Sequence, residues 1–238
     1  LYYRTRVPGD IGSLERVPAM TGQREQRCTY PMFLKGPREE LIFTYRDGRS
    51  GEGVRIYNVY DARARAWRRL LDEPLLDGKE LMNAYPVGPE RGPDGDFHMC
   101  WVWRDTGDCS TNHDLCYARS EDLVHWETAG GAAVELPMTI ETRAVVVDPV
   151  PVQGGMINGN TRVGFDSEGR PVVSYHKFDE NGNTQVYNAR READGWRIYQ
   201  TSDWEYRWEF SGGGTIRGEI SVGGVTIAPD GNGLRQHH

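Results

Sequence analysis

The chain has 238 residues, 37% of them hydrophobic and 11% aromatic, with 29 glycines, 13 prolines and a formal net charge of -7 at pH 7. That is apolar material enough for a large core but poor in aliphatic residues for a helical protein, and the dispersed Gly and Pro exclude a low-complexity chain. The acidic balance argues against a nucleic-acid partner, and no run reaches the about 20 apolar residues of a membrane-spanning helix, so no membrane insertion is expected.

Read in chain order, the sequence opens at Leu1, without Met, in the strand-like 1-LYYRTR-6, so a start region with any signal peptide is expected to precede it. With 11-IGSLERV-17 this makes a partial unit. A first full unit follows: a strand over Thr29–Leu34, a turn at Lys35-Gly36-Pro37, then 41-LIFTYRDGRSGEGVRIYNVYDARARAW-67. The basic run Arg63–Arg69 at its end alternates like the solvent face of a strand pair. A second unit has Asn83–Pro86, a turn at Gly92-Pro93-Asp94-Gly95, and 97-FHMCWVWRDTGDCSTNHDLCYARSEDLVHW-126. The third has Asn160–Phe165, a turn at Asp166–Gly169, and 172-VVSYHKFDENGNTQVYNARREADGW-196. Each long segment is an apolar strand ending in an aromatic and a charged residue, a polar loop, a second strand with Tyr, a polar turn and a Trp. A last partial unit lies in 215–233.

Repeated units of four short antiparallel strands predict an all-β fold, a β-propeller of four-stranded antiparallel blades. Three complete blades and two partial ones fall short of a closed ring. One propeller domain over 1–238, incomplete at both ends and a fragment of a seven-bladed ring, is therefore expected.

In such a fold the polar ends of inner strands converge at one rim. Asn112-His113-Asp114 sits at a loop-to-strand junction, with Arg46-Asp47 and Ser50, and Tyr175-His176-Lys177, at corresponding places in the neighbouring units. His113 reads as a base, an acid or a neutraliser of a carboxylate, or else as a turn-capping histidine. Tyr175 and His176 either face the channel or form a half-buried strand end. Tyr85, held ahead of Pro86, reads as a core residue or a general acid. Arg207, set between aromatics before a glycine run, either grips a carboxylate or stacks on Trp204 or Trp208. The cysteines, Cys28, Cys100, Cys109 and Cys116, include no C-x-x-C pair, which excludes a zinc ribbon. Cys109 and Cys116 pair with each other, join His113 or His98 on a metal, or remain small buried thiols. With no G-x-S-x-G, H-E-x-x-H, P-loop or G-x-G-x-x-G opening a helix, no nucleotide cofactor is expected.

Tyr30-Pro31 with 45-YRDGRSG-51, Asn83–Pro86, 101-WVWRDT-106, 111-TNHDLCYARSED-122, 148-DPVP-151, Ile157-Asn158, Tyr175-His176 and 207-RWEFSGGGTI-216 resemble the BNR-repeat-containing family of propeller proteins, which is similar to ulvan lyases and rhamnose-glucuronate lyases. The resemblance runs from about residue 13 to 231, and only a degenerate Asp-box turn, Ser120–Trp126, is kept. It implies a polysaccharide lyase that cleaves next to a uronic acid by β-elimination, in a secreted or periplasmic protein whose partner is an acidic polysaccharide or oligosaccharide. Asn112 and Arg207 would then neutralise the uronate, His113 or His176 would be the base, and Tyr175 or Tyr85 the acid. Tyr85, Arg46, Asp47, Asp114, Trp103 and Trp208 would contact the substrate. No catalytic cofactor is implied, although such lyases often hold a structural metal. Two alternatives stay open. A glycoside hydrolase would draw its carboxylate pair from Asp47, Asp105 and Asp114; a non-catalytic sugar-binding propeller would use Trp101, Trp103, Trp204 and Trp208 as platforms.

Overall fold

The computed structural model of the chain describes residues 2–231 and 233–238. A short antiparallel pair, β1 (Tyr2–Thr5) and β2 (Leu14–Val17), comes first. The first large sheet runs in the order β3 (Cys28–Lys35), β4 (Leu41–Arg49), β5 (Glu52–Asp61) and β6 (Ala66–Arg69), with β7 (Leu76–Asp77) pairing the start of β5. The second comprises β8 (Asn83–Arg91), β9 (Phe97–Arg104), β10 (Asn112–Ser120), β11 (Trp126–Glu127) and β12 (Ala133–Val134), with β13 (Val146–Asp148) on the start of β10. The third is β14 (Arg162–Phe165), β15 (Pro171–Phe178), β16 (Thr184–Glu192) and β17 (Gly195–Gln200). A two-residue pair, β18 (Thr226–Ile227) and β19 (Leu234–Arg235), follows. Among the described residues there is no α-helix, only 3-10 turns at Ile11–Ser13, Cys109–Thr111 and Arg143–Val145. The all-β expectation holds; of the three expected four-stranded units the third has four strands, the first has five with β7 and the second six with β12 and β13, and Trp67, Trp126 and Trp196 each fall on the fourth strand of their sheet.

The period of two in β9 explains how the sheets stack. Met99, Trp101 and Trp103 face a core shared with Ile42, Tyr57 and Val59 of the first sheet, while Cys100 and Val102 face one shared with Val173, Tyr175 and Ala189 of the third. Both faces of β9 are thus covered, and all eight of its residues are buried. Burial on this scale stabilises by about 25 cal/mol for each Å² of apolar surface removed from water.

Three irregularities aim side chains out of this regular frame. The β3–β4 register shifts between Thr29 and Met32, the β8–β9 register between Val87 and Glu90, and the β9–β10 register between His113 and Leu115. Tyr30 and Asp114 sit in the first and third with φ of 49° and 45°. Such bulges re-aim side chains next to functional sites. In the β4–β5 hairpin, Gly48 has φ 141°, and a Cβ there would lie 2.4 Å from the Glu52 carbonyl oxygen, so the tight return of the chain requires glycine.

Candidate functional site

The polar ends of several strands meet where the first and second sheets pack. Arg46, near the end of β4, donates from Nε to Thr29 Oγ1 at 2.8 Å and from Nη1 to the Tyr85 hydroxyl at 3.2 Å. Ser50, in the β4–β5 turn, lies 3.1 Å from the same hydroxyl. The Arg104 guanidinium, at the end of β9, stands 5.5 Å from the centre of the Tyr85 ring, and the Tyr30 ring meets Tyr85 edge to face at 5.8 Å. Arg46 also covers the Tyr30 ring, 4.8 Å from its centre. Beside them Arg55, buried on β5, donates to the Tyr30 carbonyl at 3.2 Å, while its Nε has no partner.

These groups border a cleft of about 600 Å³ lined by Tyr30, Arg46, Arg55, Tyr85, Asn158 and Arg162 among others, with Glu90 as the one acid on its wall. Arg46, Arg55, Arg104 and Arg162 spend their hydrogen bonds on hydroxyl, amide and carbonyl oxygens, none on a carboxylate. Buried cations are ordinarily paired. A cleft with this surplus of positive charge, in a chain of net charge -7, suits an anionic ligand. Burial alone would raise the pKa of Tyr85, yet the hydrogen bonds from Ser50 and Arg46 and the charges of Arg46 and Arg104 outweigh it and hold the phenol below its ordinary value.

Asn112 adjoins this cluster. Its Nδ2 donates to the Cys109 carbonyl at 2.5 Å and to Asn158 Oδ1 at 3.2 Å, and Arg104 donates to that same Asn158 oxygen at 3.2 Å. The Asn112 Oδ1 is buried without a partner. Asn158 thereby ties the segment before β14 to the ends of β9 and β10.

The other expected site residues do not line this cleft. His113 is gripped on both sides, Nε2 lying 2.9 Å from Asp105 and Nδ1 3.2 Å from Asp114, whose carboxylate also receives Arg143 at 3.3 Å. Burial works against its charged form, but the two carboxylates prevail and raise its pKa. Both nitrogens of His113 are thus engaged by carboxylates of its own chain segment. Asp47 pairs with Arg27 at 3.6 Å. Tyr175 is fully buried and donates to Asp148, which Lys177 also contacts at 2.6 Å; burial and the Asp148 charge push the phenol up, away from acid–base use at neutral pH. His176 has no exposure, its ring lies 5.2 Å from that of Trp208, and neither nitrogen makes a hydrogen bond of normal geometry, the nearest weak partner being the Gly155 backbone. Burial drops its pKa to about 4. Arg207 stacks 3.6 Å over Phe178, donates to the Gly182 carbonyl at 2.6 Å and pairs with Glu209. Trp103 and Trp208 are 1% and 3% exposed, so these rings are core and offer no open face to a sugar.

All four cysteines are free thiols; Cys28 is exposed and the others are buried. Among the described residues no three His, Cys, Asp or Glu side chains gather to hold a metal. Asp105 and Asp114 grip opposite nitrogens of His113 and so do not converge with it on one point. The residues present do not fit the structural metal that the resemblance allows. Among the described residues no helix is long and apolar enough to cross a membrane.

The chain is thus all-β, with stacked antiparallel sheets and a cationic, tyrosine-bearing cleft that suits an anionic ligand, and comparison with known proteins bears on the class. A profile of the BNR repeat-containing family matches residues 1–204, and the chain belongs to that family. Among solved structures, an ulvan lyase of polysaccharide lyase family PL25 is similar, with a TM-score of 0.61 at 16% identity over 85% of this chain and 49% of that one. A structure of such a lyase bound to -[GlcA(1-4)Rha3S]- gives 0.62 at the same identity and coverage. The polysaccharide lyase Uly1 gives 0.59 at 16% identity, over 91% of this chain and 56% of that one. The chain thus spans about half the length of these structures, and at this identity the likeness concerns the fold. No curated protein matches the sequence.

Arg55, Arg104 and Arg162 were not singled out by reading the sequence. A signal existed for Arg104: Trp103-Arg104-Asp105 repeats Tyr45-Arg46-Asp47 at the same strand end. Arg55 and Arg162 carry no such mark, because an arginine in a strand reads as solvent-facing until the partner sheet is placed.

Proposed function

We propose that the three sheets are successive blades of a propeller extending beyond this chain, and that the cleft is the site of a polysaccharide lyase acting next to a uronic acid. Tyr85 as its ionisable group is the observation that carries the reading: a phenol held by Arg46 and Ser50, its pKa lowered, in a cleft whose arginines have no carboxylate partner.

The chemistry asks for these parts. The C5 proton of a uronate becomes acidic once its carboxylate is neutralised, here by Arg46 or Arg162 with an amide from Asn158. Tyr85 as phenolate takes that proton; the C5–H electrons form the C4=C5 double bond, the C4–O bond breaks, and its electron pair leaves on oxygen. The same phenol, now protonated, returns the proton to that oxygen and regenerates the phenolate. One group serving as base and then acid requires both proton transfers on one face of the sugar. This moves the base from His113 or His176, where the sequence suggested it, to Tyr85. A hydrolase would need two carboxylates flanking the bond, and the cleft wall holds Glu90 alone. A polymer substrate goes with secretion or a periplasmic location.

The test is ultraviolet absorbance during incubation with ulvan and with gum arabic. An unsaturated-uronate signal that disappears in Tyr85→Phe supports the reading. New reducing ends without absorbance move it to hydrolysis, and an intact polymer moves it to sugar binding.

A further inference from the structure

Tyr30 is unusual on three counts. Its ring is large and aromatic, yet the residue is 57% exposed. Its backbone has φ 49°, in the left-handed region, directly ahead of Pro31, whose ring already narrows the conformations open to residue 30. The group that holds its carbonyl is the Arg55 guanidinium, a buried cation that makes no ion pair and leaves Nε without a partner. Strain and an unpaired buried charge are both costly, and neither serves the packing of an exposed ring.

Together they fix where the ring points. Tyr30 lines the cleft, edge to face with Tyr85 at an interplanar angle of 83°, with the Arg46 guanidinium over one face. With the residue 57% exposed, these two neighbours leave much of Tyr30 open to the cleft and to solvent. The C–H face of a pyranose seeks such an aromatic surface, because the electron-rich face of the ring meets weakly positive hydrogens. Tyr85 and Arg46 occupy the reacting position, so a sugar stacked on Tyr30 belongs to the residue next along the chain.

We propose that Tyr30 is a stacking platform for the pyranose that adjoins the uronate, and that Arg55 is the positioning residue that holds it by its carbonyl. The placement of that pyranose rests on the lyase reading given above; the platform itself needs only that the cleft bind a saccharide.

The test separates the two. Native gels cast with ulvan, gum arabic or polygalacturonate measure retention of the whole chain without any chemistry, beside Tyr30→Ala, Tyr30→Phe and Tyr30→Trp; where unsaturated product forms, KM and kcat are measured as well. Tyr30→Ala is expected to weaken retention about tenfold, the worth of one aromatic stacking contact, and to raise KM with kcat little changed, while Phe and Trp restore both. Arg55→Lys, checked for an unchanged melting profile, is expected to weaken retention like Tyr30→Ala. Unaltered retention in Tyr30→Ala, or a fall in kcat instead, overturns the platform and leaves Tyr30 as packing for Tyr85. Retention by none of the three polymers overturns it too. Retention lost in Tyr30→Ala without any unsaturated product keeps the platform and removes the lyase.

Discussion

Arg46 Nη1 reaches the Tyr85 hydroxyl at 3.2 Å, and this one hydrogen bond crosses from the first sheet to the second. It joins the cation that favours the phenolate to the phenol itself. If the cleft carries the proposed elimination, its rate is expected to fall in Tyr85→Phe by about 10²–10⁴-fold, the usual worth of a positioned acid or base. In Arg46→Met the fall is smaller and carries a signature in pH. Because Arg46 helps to hold the Tyr85 pKa down, its removal moves the rising limb of kcat/KM towards higher pH. A limb that stays in place in Arg46→Met would dissociate the two residues.

The His113 cluster predicts a pH dependence of stability. The folded pKa of His113 is raised above the unfolded value of about 6.5, so its stabilisation is full below that pH and is lost as pH climbs through the folded pKa. Asp114 shifts the other way: burial opposes its charge, but His113 and Arg143 lower its pKa, so its contribution is present above about 3.9 and is lost as pH falls through the lowered value. The pair is therefore strongest in mildly acid solution. His113→Ala should cost about 2 kcal/mol there, the scale of a hydrogen bond to a charged group, and clearly less in alkaline buffer. Urea midpoints at the two pH values check this; an equal cost at both would contradict it.

Trp103 is 1% exposed in the core between the first two sheets. Trp103→Ala should lower stability by about 3–5 kcal/mol, as large aromatic truncations do, with Trp103→Phe milder. Polymer retention at low temperature, where the variant remains folded, should be near that of the parent. A selective loss of retention with normal stability would return Trp103 to the binding surface.

The thiols should divide by burial. A bulky thiol reagent should label Cys28 in the folded protein, and Cys100, Cys109 and Cys116 only after denaturation. Burial raises the pKa of Cys100 to about 11, which further slows it. Rapid labelling of a second thiol would mean that a sheet opens readily.

Much of the fold was legible because its signals are local: alternation along strands, polar turns between them, and a tryptophan closing each unit. The site was legible only in part. Tyr85, Arg46 and Asn112 were named, since each stands at a strand end beside turn residues. The histidines drew chemical roles by residue type, whereas their roles depend on partners distant in sequence or register: Asp105 and the bulge at Asp114 for His113, and the Trp208 ring for His176. Arg55 was missed because its burial comes from packing between sheets, which no pattern within β5 announces.

The repeated Arg-Asp strand end puts one motif to two uses. Arg46 and Arg104 hold one place in two copies of one motif but have different employment. Arg104 donates to the Thr106 and Gly107 carbonyls and to Asn158, fastening a loop, whereas Arg46 keeps a donor on the Tyr85 hydroxyl. The two guanidinium groups stand at matching places, and their surroundings set one to fasten a loop and the other to hold the Tyr85 hydroxyl. What differs between the copies is therefore not the motif but the neighbourhood each arginine meets.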